Sequence, residues 1–412
     1  MIFAATTGYQ LRVFAEAARR LGVPFQLATD RCRGMDDPWG DQALPVRFGD
    51  TGPSVKLLRE HRFDAVVALG DAPTVLAVLA AEEKGIPFHP PAAARACRNK
   101  FLARQLYRAA GLPVPAYFTV PFTDDPAEAA ARAPFPCVLK PLALSASRGV
   151  IRANDRTGFA AAFDRIRALL DTPEIRRARE DHNRYIQVES YIPGHEFAVE
   201  GLVTAGRLQV LALFDKPDPL EGPFFEETIY TTPSREDAAT QQAILATVAQ
   251  AVRALGLRHG PVHAECRVNA QGVWMLETAA RPIGGLCARA LRFQGGVPLE
   301  ELVLRHALGE DVSDAVLDGP ASGVMMIPIP HGGIWQGAAG VDRAAAVPGI
   351  EEVMITAQEG QRLLPLPEGA SYLGFIFARG EDPAVVEQSL RRAHAELAFH
   401  IAPVLPTLRP GA

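Results

Sequence analysis

Around Asn269-Ala270-Gln271-Gly272 the chain carries two runs of alternating apolar and polar residues, and few architectures can absorb them. In Val262-His263-Ala264-Glu265-Cys266-Arg267-Val268 a period of two sets His263, Glu265 and Arg267 on one face and apolar residues on the other. Such a hairpin needs a sheet with one packed face and one polar face. A three-residue turn with Gly272 in the left-handed conformation pairs Asn269 with Val273, and the same register sets Glu265 opposite Glu277. Like charges directly opposite each other destabilise a sheet. A cation between them resolves the conflict, and oxygen-only ligands point to Mg²⁺. The alternative is a different register with one glutamate in solvent. Four residues beyond Glu277, Arg281 leads into Pro282-Ile283-Gly284-Gly285 and a helical run, which supplies a guanidinium and backbone N–H groups for an anion. Together these features suggest phosphoryl chemistry.

The N-terminal segment has a different rhythm. Residues 2–6 read as a strand, 10–21 as an amphipathic helix closed by Gly22, and 24–28 as a second strand, which is βαβ patterning. Residues 64–69 form an apolar strand before Gly70-Asp71, and 72–84 a helix ended by Gly85, so residues 1–94 are expected to form a small parallel α/β domain. The turns at Gly8 and Gly70 lie where ligands bind such sheets, but lone glycines are weak evidence and ordinary turns are the favoured reading. Residues 92–110 read as one linker helix containing Lys100, stopped by Gly111, Pro113 and Pro115. From Pro136 short strands at 137–140, 149–152, 185–189, 196–203 and 208–214, with one helix at 157–170, give an α+β pattern. The charge-dense residues 173–184 are expected as solvated surface. A helix over 237–256 precedes the hairpin. A proline- and glycine-rich stretch from Gly319 to Gly349 sets off a C-terminal α+β unit with a strand at 372–378 and a helix at 383–397. The expected division is 1–94, 95–318 with a lid at about 116–190, and 319–412.

Composition narrows the chemistry. A chain of 412 residues suggests roughly two to four domains, each able to bury a core without disulfides or metals as staples. With 48% hydrophobic and 22% charged residues, disorder is excluded. The 42 Lys and Arg against 47 Asp and Glu give a net charge of −5 with no basic run, which argues against nucleic acid as a partner and leaves a small anionic nucleotide open. Cys32, Cys97, Cys137, Cys266 and Cys287 form no Cys-x-x-Cys pair, so neither a zinc site nor a disulfide framework is expected. The first residues lack a signal-peptide pattern, and no apolar run approaches the roughly 18 residues that span a bilayer. The reading is a cytoplasmic protein without a membrane partner.

Phosphoryl chemistry also needs cations for a nucleotide. Lys140 ends the strand at 137–140 and precedes Pro141-Leu142-Ala143-Leu144-Ser145-Ala146-Ser147-Arg148-Gly149, a small-residue loop able to fold over a triphosphate with N–H and hydroxyl donors. A plain hairpin loop is the alternative. Lys100 is the second such lysine.

Taken in order, these blocks resemble the ATP-grasp ligases. The residues that carry the resemblance are Arg98-Asn99-Lys100 with Gly111-Leu112-Pro113-Val114-Pro115, then Val138-Leu139-Lys140-Pro141 with the serine loop, then Val188-Glu189-Ser190-Tyr191-Ile192-Pro193-Gly194-His195-Glu196. His263-Ala264-Glu265 and Glu277-Thr278-Ala279-Ala280-Arg281-Pro282 follow in the family's order. The resemblance implies a small pre-ATP-grasp domain, an ATP-grasp fold with its lid, and a C-terminal ligase-type domain. It implies that Lys100 and Lys140 bind ATP phosphates under the loop of Ser145 and Ser147, that Glu189, Ser190, Tyr191 and Ile192 form the adenine hinge, and that Glu196 binds ribose. Glu265 and Glu277 would hold Mg²⁺. Two departures are visible: Ala279 stands where many members carry Asn, and the loop is poorer in glycine than many of theirs.

Within that superfamily the chain is most similar to the L-amino acid ligases, dipeptide synthetases of the bacilysin type. This rests on Glu277-x-x-x-Arg281-Pro282-x-Gly284-Gly285, on Lys216-Pro217-Asp218-Pro219 leading into Glu226-Glu227-Thr228-Ile229-Tyr230-Thr231-Thr232-Pro233-Ser234, and on Tyr372-Leu373-Gly374-Phe375-Ile376-Phe377-Ala378-Arg379-Gly380. Related ligases often carry His where Tyr230 stands. The implied reaction is ATP-dependent ligation of amino acids through an acyl phosphate, with Arg281 and the N–H groups of Gly284 and Gly285 steadying the tetrahedral oxyanion. Glu227 would bind a substrate ammonium, or is a solvated loop carboxylate; Tyr230 would shape the substrate pocket; His263 would touch substrate or phosphate, or serve structure alone. A carboxylase or purine-type ligase is the alternative within the superfamily. A nucleotide-binding regulatory protein whose ligase chemistry has lapsed is the alternative of a different functional class, kept open by Ala279. An apolar face on the C-terminal unit would serve a domain contact or a homodimer.

Overall fold

The computed structural model describes residues 1–5, 10–30, 43–178 and 180–404. Gly8 and Cys32 lie outside the described residues. The N-terminal unit is a parallel sheet in the order Ala43–Pro45, Leu27–Thr29, Ile2–Ala4, Val67–Leu69. Helix Leu11–Arg20 turns Phe14, Ala15, Ala17 and Ala18 inward, and helix Asp71–Lys84 starts directly after Gly70. The expected parallel α/β unit is met; the short strand Ala43–Pro45 carries too little pattern to be read.

The linker differs from its reading. Residues 92–110 do not form one helix but two, Pro91–Arg98 and Lys100–Ala109, broken at Asn99 with φ −106° and ψ 103°. The Asn99 side chain accepts the N–H groups of Phe101 and Leu102 at 3.1 Å each and so caps the second helix. Lys100 is therefore the first residue of a helix rather than an interior one, which aims its side chain out of the helix start.

The lid is a four-stranded antiparallel sheet in the order Tyr117–Pro121, Tyr185–Ser190, Cys137–Pro141, Ile151–Ala153. Helix Arg156–Leu170, capped by Asp155, packs Phe159, Phe163 and Ile166 onto it. Residues 173–184 are more than solvated surface: they hold helix Pro173–Arg177 and a 3-10 turn Asp181–Arg184, and Glu180 takes Arg98 in a two-point ion pair at 2.5 and 2.8 Å.

The main sheet has eight strands in the order Gly272–Ala279, Gly260–Asn269, His195–Thr204, Arg207–Lys216, Ile229–Thr232, Ala321–Ile327, Gly374–Gly380, Ile350–Ile355, with antiparallel neighbours throughout. Strand Ile229–Thr232 pairs with Ala321–Ile327, so the sheet runs without a break across the boundary drawn between residues 318 and 319. Helix Pro383–Ala395 buries Val386, Leu390 and Ala393, and the apolar strand Gly374–Gly380 is covered by the chain's own residues. A further sheet of Arg362–Leu363, Gly333–Ala339 and Ala398–Ala402 completes the C-terminal unit. Among the described residues no helix is long and apolar enough to cross a membrane.

The hairpin reaches its expected pairing by another route. Asn269 pairs with Gly272, leaving the two-residue turn Ala270-Gln271 rather than a three-residue one. A bulge at Leu276 then restores the register, and Glu265 lies opposite Glu277. Asn269 Oδ1 accepts from Gln271 N–H at 2.9 Å and from Trp274 Nε1 at 3.2 Å, which tightens the turn.

Candidate functional site

The lid sheet supplies one wall of the site. Lys140 is the last residue but one of its strand, beside the strand that carries Glu189, and Lys140 Nζ lies 2.5 Å from Glu189 Oε2. Arg104, from helix Lys100–Ala109, donates to the same carboxylate at 2.6 and 3.3 Å, and Gln187 Nε2 donates at 2.5 Å. All four side chains are buried. Burial would raise the Glu189 carboxyl, yet Arg104 and Lys140 hold it at about 2. Burial also pushes Lys140 down to about 8, against the pull of Glu189. Arg104 reaches across to the main sheet, donating to the Met275 carbonyl at 2.7 Å. Lys100 does the same: its Nζ donates to Leu144 O in the serine loop at 2.8 Å and lies 3.0 Å from Glu277 Oε2.

The main sheet supplies the other wall. Lys216 ends strand Arg207–Lys216, and its Nζ sits 2.9 Å from Glu196 Oε1, 2.6 Å from Glu227 Oε1 and 3.0 Å from Glu265 Oε1. The register places Glu196 beside Lys216 on one side and beside Arg267 on the other, and Arg267 Nε donates to Glu196 Oε2 at 2.9 Å. Burial alone would strip Lys216 of its charge; the three carboxylates keep it an ammonium, far above its ordinary range. Burial and the neighbouring Glu265 charge push Glu227 up to about 7, which Lys216 only partly offsets. Tyr230 donates its hydroxyl to Glu227 Oε2 at 2.8 Å. His263 bridges Glu200 through Nδ1 and Glu265 through Nε2 at 3.3 Å, and these carboxylates overcome its burial and raise it to about 9, an imidazolium at neutral pH.

Several predicted residues thus meet: Lys140 with Glu189, Lys100 with Glu277, and Glu196, Glu227, Glu265, Tyr230 and His263 in one network. Glu265 and Glu277 each also face a lysine, Glu265 the shared Lys216 and Glu277 Lys100. Among the described residues the acidic group compact enough for a metal is Glu196, Glu227 and Glu265, with ligand atoms within 4.8 Å of one another, and Glu277 is outside it. The donors fit Mg²⁺: they are carboxylate oxygens only, and the Glu265 and Glu277 side chains stay 19% and 25% exposed.

Other predicted residues have partners within the protein. Arg281 directs its fork at Asp71, with Nε to Oδ1 at 2.8 Å and Nη2 to Oδ2 at 3.2 Å, while Nη1 donates to the Pro282 carbonyl at 3.1 Å. Two of its five N–H donors are left for a ligand. The helical run after Gly285 is only a four-residue 3-10 turn, Cys287–Ala290, so Gly284 and Gly285 do not begin a helix. In the hinge, the Glu189 carboxylate is engaged internally and the Ser190 and Tyr191 N–H groups go to the carbonyls of Ala116 and Pro136. The Tyr191 ring stacks on Phe225 under Arg152, whose guanidinium carbon is 4.1 Å from the ring centre, and the Ile192 carbonyl accepts from Arg267 at 2.7 Å. Both Glu196 oxygens are bonded. Ser145 is exposed and Ser147 half-buried in the loop.

Lys216, Asp71, Arg104, Arg267 and Glu200 were given no role from sequence. Lys216 stood inside a quoted motif, and Asp71 follows the Gly70 turn at a strand's carboxyl end, which is the available signal for it. Arg104 sits on a helix face four residues from Lys100, with nothing local to distinguish it.

The profile of the ATP-grasp domain matches residues 133–290, and that of the L-amino acid ligase C-terminal domain 2 matches residues 325–402. The crystal structure of an L-amino acid ligase from Bacillus licheniformis superposes with a TM-score of 0.82 at 26% identity, covering 97% of this chain and 98% of that one. An uncharacterised protein of Sinorhizobium fredii, y4rH, is 24% identical over 400 residues, 95% of this chain and 81% of its own length. Alanine–anticapsin ligase of Bacillus subtilis is 24% identical over 281 residues, 64% of this chain, and the match spans only 58% of that relative's length. The chain is an ATP-grasp enzyme of the ligase type, a former of carbon–nitrogen bonds, and along its length it is similar to the L-amino acid ligases.

Proposed function

We propose that the protein joins two amino acids through an amide bond, using ATP and releasing ADP and phosphate. The observation that carries this reading is the opposite charge of the two walls. An amino acid brings both a carboxylate and an ammonium. On the main sheet Glu196, Glu227 and Glu265 gather around Lys216; Arg267 also takes Glu196 and His263 also takes Glu265, so Glu227 is the carboxylate with no second cation, and its carboxyl is lifted to about 7. A substrate ammonium supplies that cation, whereas bicarbonate offers none.

On this reading ATP lies between the walls, its adenine at 189–192, its ribose by Glu196 and its phosphates under the loop of Ser145 and Ser147 within reach of Lys100 and Lys140. Both lysines already have partners inside the protein, so they exchange Glu189 and Glu277 for phosphate oxygens rather than leaving water. Glu265 and Glu277 are the residues to hold Mg²⁺, which when bound neutralises phosphate charge. A carboxylate oxygen of the first amino acid attacks the γ-phosphorus in line, and the bond to ADP breaks, leaving an acyl phosphate. The amine of the second attacks the acyl carbon, phosphate departs with the C–O bond, and the nitrogen sheds its proton. Arg281, fixed by Asp71, and the N–H groups at Gly284 and Gly285 face the oxyanion. Tyr230 and Glu227 line the amine side, with His263 fixing Glu265 from behind.

Incubation with ATP, Mg²⁺ and amino-acid mixtures, with phosphate release followed and products scanned by mass spectrometry, tests this. Dipeptide formed in step with phosphate is the expected result. Phosphate released only with bicarbonate would turn the reading to a carboxylase, and none under any condition to a binding protein.

A further inference from the structure

The serine loop contains two consecutive non-glycine residues in the left-handed region, Ala146 at φ 54° and Ser147 at φ 53°. Such backbone persists only where its surroundings over-determine it. Two pins flank the pair. At the loop's entry, Lys100 N–H donates to Leu142 O at 3.0 Å and Lys100 Nζ to Leu144 O at 2.8 Å. At its exit, Gly149 N–H donates to Pro367 O at 2.8 Å and Arg148 Nε to Glu368 O at 2.8 Å.

The second pin belongs to the C-terminal unit, 220 residues further along the chain. The Glu368 carboxylate holds the lid a second time, through Arg165 of helix Arg156–Leu170, with Nη2 to Oε2 at 2.8 Å and Nε on Oε1. The turn that presents these groups has a fixed shape. Gly369 N–H closes it onto Pro365 O at 2.9 Å, and a Cβ at Gly369 would stand 1.7 Å from Leu364 O. The Arg165 and Glu368 side chains are 44% and 36% exposed, so the ion pair is a weak one that opens readily.

We propose that the turn at 364–369 is the latch of the lid, and that Glu368 is a positioning residue for ATP, setting the exit of the phosphate-binding loop without touching the nucleotide. This rests on the reading of residues 142–149 as that loop. It gives the C-terminal unit a part in nucleotide binding, although it lies outside the segment that the ATP-grasp profile matches.

A charge swap tests it, using Glu368→Arg, Arg165→Glu and the double variant in the full-length protein. Hydrogen exchange of the peptide containing Gly149, without nucleotide, reads the latch; calorimetric titration with ATP and Mg²⁺ reads the loop. Each single variant should exchange faster at Gly149 and bind ATP roughly two- to fivefold more weakly, and the double variant should recover both. Recovery separates a latch from a folding defect. Unchanged exchange and unchanged affinity in the single variants would overturn the proposal. Faster exchange with unchanged ATP affinity would also overturn it, and would place the failure in the phosphate-loop reading rather than in the contact.

Discussion

The two walls of the cleft share their charges in opposite proportion. On the lid one carboxylate, Glu189, is divided between two cations, Arg104 and Lys140. On the main sheet one ammonium, Lys216, is divided among three carboxylates, Glu196, Glu227 and Glu265. Protonation records the imbalance: Lys140 is driven down to about 8 and Glu227 up to about 7. Burial is the larger cause in both, and the next like charge adds to it, Arg104 from the helix against the lid and Glu265 on the sheet. Each wall therefore lacks one counter-charge, and the missing signs are opposite. A cleft built this way favours a ligand carrying anions at one end and a cation at the other.

The strongest way to break this comparison is to remove the central cation of each wall. Lys216→Met leaves one buried and two half-buried carboxylates around a vacated ammonium site, with Arg267 still on Glu196 and His263 still on Glu265, and the loss should approach the roughly 3–5 kcal/mol of a broken buried pair. Lys140→Met leaves Glu189 still held by Arg104 through two bonds and by Gln187, so the loss should be about 1–2 kcal/mol. Urea unfolding of both variants measures the difference. Equal losses would mean that the sharing of charge seen at Lys216 does not set the stability of that wall.

How much of this was legible follows from where each partner sits in the chain. The hairpin declared itself because its alternation and turn are local, and Glu265 opposite Glu277 survived even though the turn was one residue shorter, since the bulge at Leu276 absorbed the offset. The break at Asn99 was also local and was missed, because helix-forming sequence on both sides hides a one-residue interruption from periodicity. Asp71 and Arg281 are 210 residues apart, and no pattern along the chain links them. The same holds for the C-terminal unit: its strands complete the main sheet only through pairing of Ile229–Thr232 with Ala321–Ile327. Local chemistry was readable, whereas the counter-charges that decide protonation come from distant strands.

Arg281 sharpens the comparison because it belongs to neither wall and is tethered to the N-terminal unit by Asp71. Arg281→Lys keeps the charge and loses the planar fork that grips both Asp71 oxygens. Amide formation should fall by about 2–3 kcal/mol in kcat/KM while ATP affinity changes little, with hydroxylamine trapping acyl phosphate that leaks to water. Equal losses in ATP binding and amide formation would instead assign Arg281 to the nucleotide.

The gentlest test uses pH on the lid wall. Lys140, at about 8, is an ammonium below that value and an amine above it, so its attraction for phosphate is complete near pH 7 and is lost as pH rises through 8. Between pH 7 and 8.5 the charged fraction falls about fourfold, and KM for ATP should rise by about that factor at saturating amino acid. Lys140→Arg keeps its charge throughout this range and should flatten the profile. His263, held at about 9 by Glu200 and Glu265, stays protonated over most of the same window, whereas Glu227, at about 7, completes its ionisation in the lower part of it and adds a slope from the main sheet that Lys140→Arg leaves in place. A profile that persists unchanged in Lys140→Arg would show that another group sets it, and the deficit of negative charge on the lid would lose its clearest functional sign.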